Sequence, residues 1–176
     1  MGVTNLVSNA GVVASDTAAV GTARSHLAAC EYGEDKGIFG FGEDASGKVG
    51  YTNLVSNAGV VATDVTAVGT VRSIIAACGY GVDKGIFGFG RDASGVVSMT
   101  NLVSNAGVVA TDVTGIGTAR SELGACTYGN DKGIFGYGTT GSVSSLTNLV
   151  SNAGVVATDV TGVGTARTSL AACSFN

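Results

Sequence analysis

Thr52-Asn53-Leu54-Val55-Ser56-Asn57-Ala58-Gly59-Val60-Val61-Ala62 decides the fold, because the same eleven residues begin again at Thr4, Thr100 and Thr147. Successive copies start 48, 48 and 47 residues apart. A second block, Asp-Lys-Gly-Ile-Phe-Gly, starts at Asp35, Asp83 and Asp131 with the same spacing, and a fourth copy would fall beyond Asn176. Periods of this size mark supersecondary units that cannot bury an apolar face alone and must stack on their neighbours. The chain therefore reads as a single repeat domain over residues 1–176, with units opening near 4, 52, 100 and 147 and the last one truncated.

Within one unit the turn signals are close together. Tyr51 to Val55 is a short run stopped by Ser56-Asn57-Ala58-Gly59, and Val60 to Val65 is a β-branched strand. A loop through Gly69 leads to a strand of small residues from Arg72 to Tyr80. After Gly81-Val82-Asp83, the segment Lys84 to Phe89 alternates aromatics with glycine, and Arg91 to Gly95 turns the chain again. Stretches such as Ala23–Ala29 contain good helix formers, but apolar segments of six to eight residues between turns are too short for helices. Four short antiparallel strands per unit predict an all-β chain, a β-propeller of near-identical four-stranded blades.

Composition narrows the function. Apolar residues make up 45% of the 176 positions and charged residues 12%, which suits a packed core rather than a disordered chain. The net charge is −4 with nine Lys and Arg in all, too few to neutralise a phosphate backbone, so nucleic acid is not an expected partner. No apolar stretch approaches the ~20 residues that span a bilayer, and the start from Met1 lacks a signal peptide's basic and apolar segments. No membrane association and a cytoplasmic location follow as expectations. Cys30, Cys78, Cys126 and Cys173 hold equivalent positions; sheets pack about 10 Å apart and bridged Cα atoms lie within about 7 Å, so these are expected to be free, buried thiols.

The stretch Arg120-Ser121-Glu122-Leu123-Gly124-Ala125-Cys126-Thr127-Tyr128, followed by Gly129 to Gly138, resembles the first two strands of a kelch blade. The Gly-Gly pair of kelch units is split here as Gly136 and Gly138, and their Trp is absent. The fuller wording of the repeat, with Gly-Thr-Ala-Arg and Asp-Lys-Gly-Ile-Phe-Gly, is similar to repeat arrays of marine bacteriophages and environmental sequences. That resemblance implies a virion-associated setting, with other virion proteins or surface glycans as partners, and no chemistry.

Kelch-fashion, the chain supplies two outer strands (Thr4 to Asn9 and Gly11 to Asp16), three complete blades and one inner strand (Arg167 to Phe175), making 15 strands where a four-bladed ring takes 16. The absent strand is the Asp-Lys-Gly-Ile-Phe-Gly one. A sheet lacking it exposes unmet backbone groups, so a homo-oligomer or a partner strand completing the fourth blade is expected.

Candidate sites are few. Gly42-Glu43-Asp44-Ala45-Ser46-Gly47-Lys48-Val49 mimics a phosphate loop, but Val49 replaces the Mg²⁺-binding hydroxyl, two carboxylates oppose phosphate and no helix follows; a hairpin turn is expected. His26 is the only histidine and its equivalents are Ile74, Glu122 and Ser169, so it reads as an exposed residue at the start of a strand. No ligand spacing for zinc or calcium occurs, and no cofactor or metal is expected. Arg24, Arg72, Arg120 and Arg167 with Asp64, Asp112 and Asp159 recur in every unit and are read as blade-to-blade hydrogen bonds or ion pairs, or as one shallow pocket per unit. Differences between units gather at residues 26, 31, 34 and 43–51 and their equivalents, the expected free surface. The reading is a non-enzymatic structural or interaction module, a bacteriophage virion component on the resemblance, with a glycan-binding propeller lectin as the alternative.

Overall fold

The computed structural model describes residues 2–66 and 68–174, which form β-strands and turns without a helix. The strands are β1 (Ala28–Tyr32), β2 (Lys36–Gly40), β3 (Glu43–Asp44), β4 (Gly47–Lys48), β5 (Thr52–Val55), β6 (Ala76–Tyr80), β7 (Lys84–Gly88), β8 (Thr100–Val103), β9 (Gly124–Tyr128), β10 (Lys132–Gly136) and β11 (Thr147–Val150). Three equivalent antiparallel sheets result, β1-β2-β5, β6-β7-β8 and β9-β10-β11, each with its Asp-Lys-Gly-Ile-Phe-Gly block in the middle. β3 and β4 make the small hairpin expected over Gly42–Val49.

Each sheet is extended outward by the hairpin that follows its third strand. Val55 bridges Val61 and Thr52 bridges Val65, with the same pattern at Val103–Val109 and Val150–Val156. The expected fourth strand, Val60 to Val65, is thus reduced to isolated bridges. The expected strand from Arg72 starts only at Ala76, because Ile74 takes a left-handed φ of 53° that turns the chain. The N-terminal segment makes a like hairpin, with bridges Thr4–Thr17 and Val7–Val13.

The core lies between successive sheets. Tyr32, Ile38 and Phe41 of the first sheet meet Ile75, Phe87 and Val103 of the second. Tyr80, Ile86 and Phe89 of the second meet Leu123, Phe135 and Val150 of the third. Burying an aromatic or branched aliphatic side chain contributes about 1.5–3 kcal/mol, so these two interfaces are where the repeats acquire their stability. β6 packs between β1 and β9, and the three first strands share one cleft of roughly 250 Å³ with the segment around Cys173.

The two chain ends rest on opposite outer sheets. Leu6 lies over Gly59, as Leu54 lies over Gly107 and Leu102 over Gly154. At the other end the Gly138 N–H donates to the Arg167 carbonyl at 3.0 Å and the Ser169 N–H to that of Glu122 at 3.2 Å. The expected strand from Arg167 is not formed over residues 167–174, and Phe175 lies outside the described residues. Among the described residues no Asp-Lys-Gly-Ile-Phe-Gly strand lies beside this segment, and a strand without a ladder partner gains no hydrogen bonds from extending.

Candidate functional site

The Arg and Asp positions singled out in the sequence come together three times, around an asparagine that sequence reasoning passed over. The Arg72 guanidinium donates to Asn101 Oδ1 and, at 2.8 Å, to the Met99 carbonyl. Asn101 in turn donates to Asp112 Oδ1 at 2.9 Å and to the Ala110 carbonyl at 3.0 Å. Asp112 Oδ2 accepts from both the backbone N–H and the hydroxyl of Thr70, at 2.9 and 2.8 Å. Arg24, Asn53, Asp64 and Thr22 repeat the cluster in the first sheet, and Arg120, Asn148, Asp159 and Thr118 in the third. The one available signal for the asparagine was its place in the invariant Thr-Asn-Leu-Val wording.

These bonds run within a sheet, which corrects the expectation of pairing between blades. Arg72 leads into β6, and Asn101 sits on β8 of the same sheet, so the cluster ties the first strand to the outer ones across the sheet's end. Contact between sheets is instead made by the guanidinium face. Arg72 stacks on Phe41 at 4.8 Å and Arg120 on Phe89 at 5.0 Å, each ring belonging to the preceding unit. Arg167 stacks likewise on Tyr137 at 4.2 Å. Asp16, the counterpart of Asp64, accepts from Asn5 at 2.8 Å in the N-terminal hairpin.

Burial sets the electrostatics. Arg72 and Arg120 are completely buried. Removal from water pulls the Arg72 guanidinium down to about 10, opposed by the Asp112 and Asp92 charges. Burial also lowers Arg24 and Arg120, against Asp64 and Asp159 respectively. For Asp112 burial alone would raise the carboxyl; hydrogen bonds from Asn101 and Thr70 and the Arg72 charge outweigh it and hold the group below the usual carboxylate value. Asp64 and Asp159 are held down in the same way. Each cluster ties the strands of its own sheet together, and among the described residues the nitrogens left without a hydrogen-bond partner, Arg24 Nε and Nη1 and Arg72 Nε, are buried.

The other candidates separate. Glycine 42 to Val49 spans the β3–β4 hairpin, in which Asp44 Oδ1 accepts from the Ser46 N–H at 2.7 Å. His26 is exposed, with Nδ1 3.7 Å from Glu43 Oε2. Asp35, Asp83 and Asp131 each accept from the neighbouring lysine and from Asn57, Asn105 and Asn152 of the outer hairpin. All four cysteines are free thiols, but only Cys78 is buried as expected; Cys30 and Cys126 are half-buried and Cys173 is exposed. No family model matches the chain, and no curated protein matches it.

Proposed function

We propose that the chain is a β-propeller that acts as a non-enzymatic structural or interaction module, virion-associated on the bacteriophage resemblance, and that it works as a homo-oligomer or with a partner strand at its incomplete end. The observation that carries this is the repetition of the Arg–Asn–Asp–Thr cluster in all three sheets, each arginine bonded to the asparagine of its own sheet. A catalytic site needs a constellation that differs from its copies. The convergence of three first strands and the segment around Cys173 on one cleft supports the propeller arrangement.

Interaction is supported by the outer hairpins. Val12, Val60, Val108 and Val155 occupy the same position at their tips, each nearly two-thirds exposed, which spaces an apolar row along the rim. The glycan-binding alternative has less behind it: clefts between successive outer hairpins are lined by residues such as Thr100, Leu102, Val113 and Val156, without an aromatic platform or a carboxylate. Multi-angle light scattering tests the reading. Discrete oligomers at tens of micromolar support an assembly module, whereas a strictly monomeric chain that binds carbohydrate on a glycan array would replace it with the lectin.

A further inference from the structure

The third sheet has three receptor features that are filled on the other two sheets and empty on it. In the first sheet the Gly33 N–H donates to the Asp83 carbonyl at 2.7 Å, Cys30 Sγ would lie 2.5 Å from a Cβ at Gly85, and the Phe87 ring would lie 2.7 Å from one at Gly40. Asp83, Gly85 and Phe87 all belong to one block, Asp83 to Gly88, running through β7. The second sheet receives Asp131 to Gly136 identically: the Gly81 N–H donates to Asp131 at 2.8 Å, Cys78 Sγ faces Gly133 at 2.6 Å and the Phe135 ring faces Gly88 at 2.8 Å.

In the third sheet the corresponding groups are Gly129, Cys126 and Gly136. The Gly129 N–H has no backbone acceptor, Cys126 Sγ faces no glycine, and only Thr147 Cγ2, at 3.4 Å, approaches the Cβ position of Gly136, all among the described residues. Tyr128 is 36% exposed where Tyr32 and Tyr80 are 4% and 5%. Ile134 is half-buried where Ile38 and Ile86 are buried. The segment 167–174 alongside has no ladder partner among the described residues.

We propose that this face of the third sheet docks an extended strand of the pattern Asp-Lys-Gly-Ile-Phe-Gly, supplied from outside residues 1–176. Its aspartate carbonyl accepts from Gly129, its first glycine lies over Cys126 Sγ, and its phenylalanine fills the hollow above Gly136. The occupant is identified by the two places where the molecule already seats it. The three blocks within residues 1–176 are not the donor, since β2, β7 and β10 are each paired on both sides. A strand without glycine at the third position would place a Cβ against Cys126, and one without an aromatic ring at the fifth would leave the Gly136 hollow empty. The inference deepens the proposed interaction role by naming the strand that the open end selects.

The test is fluorescence anisotropy of a labelled peptide with the sequence of residues 130–137, titrated with the full chain. Saturable binding of one peptide per chain is expected. It should weaken at least about tenfold for a peptide with alanine in place of its phenylalanine, and equally for the Gly136→Ala protein. Gly136→Ala meets no clash in the free protein, so a thermal melt like that of the parent accompanies the lost binding. No binding at millimolar protein, or equal binding of the alanine peptide, overturns the proposal. A chain that is monomeric by light scattering yet binds the peptide with this selectivity retains the docking site and discards self-assembly.

Discussion

The Phe135 ring lies so close to Gly88 that its Cζ would be 2.8 Å from any Cβ placed there, and it tilts against Phe89 with the centroids 5.1 Å apart. The glycine is a hollow for a ring from the next sheet, and Phe87 on Gly40 repeats the arrangement one unit earlier.

Gly88→Ala should therefore cost about 1–3 kcal/mol, the range for overpacking a filled core. Gly136→Ala, at the equivalent position without a ring above it, should cost under about 1 kcal/mol. Urea denaturation of the two variants decides it: equal losses would mean that backbone freedom, not ring packing, sets the need for glycine.

Asn101 bridges a buried guanidinium to a carboxylate, and its counterpart Asn5 serves an exposed hairpin in which, among the described residues, no arginine is bonded to it. Asn101→Ala is expected to lose about 2–3 kcal/mol, the scale for hydrogen bonds to charged groups. Asn5→Ala should lose less than about 1 kcal/mol. Similar midpoints for both variants would refute the role given to the asparagine.

Asp64, Asp112 and Asp159 are all held below the ordinary carboxylate value of 3.8 in the folded protein, against burial and through hydrogen bonds from Asn and Thr and the nearby Arg charge. A group depressed in the folded state contributes stability that is complete above its unfolded pKa and lost as pH falls through the folded one. Chemical denaturation should thus give a flat stability from neutral pH to about 5 and a decline below about 4. Asp112→Asn should show a shallower acid decline than the parent.

The four thiols differ in reach. Cys78 is buried, and burial pushes its thiol up to about 12, while Cys173 is exposed. Because the thiolate is the reacting species, Cys173 should react first with an aromatic disulfide at pH 8 and Cys78 only on unfolding. Mass spectrometry of peptides at timed quenches reports the order, and uniform labelling would contradict the packing described.

Val82 is 67% exposed and holds a left-handed φ of 73°, where its counterparts are Glu34 at 69° and Asn130 at 66°. A β-branched residue is strained there, and asparagine tolerates the conformation. Val82→Asn should raise stability by about 1 kcal/mol, seen as a higher melting temperature. An unchanged or lower value would show that the turn relaxes around valine.

Much of the fold was legible in the order of residues. The period, the all-β class, the middle strands Lys84–Gly88 and their copies, and the turn nature of Gly42–Val49 follow from local alternation and turn chemistry, which neighbours along the chain impose on one another. The strand from Arg167 and the burial of Cys173 failed as expectations because both depend on a neighbouring strand, and neighbours in space are not written locally. Repetition also singled out the arginines and aspartates. It could not tell that their bonds stay inside one sheet, nor that an asparagine joins them, since reach across a sheet is set by how the segment before β6 crosses its end. The identity of the repeated block was determined by sequence alone; which copies of Gly129, Cys126 and Gly136 have a partner was decided only in three dimensions, because a receptor and its occupant lie one unit apart and meet only when the sheets stack.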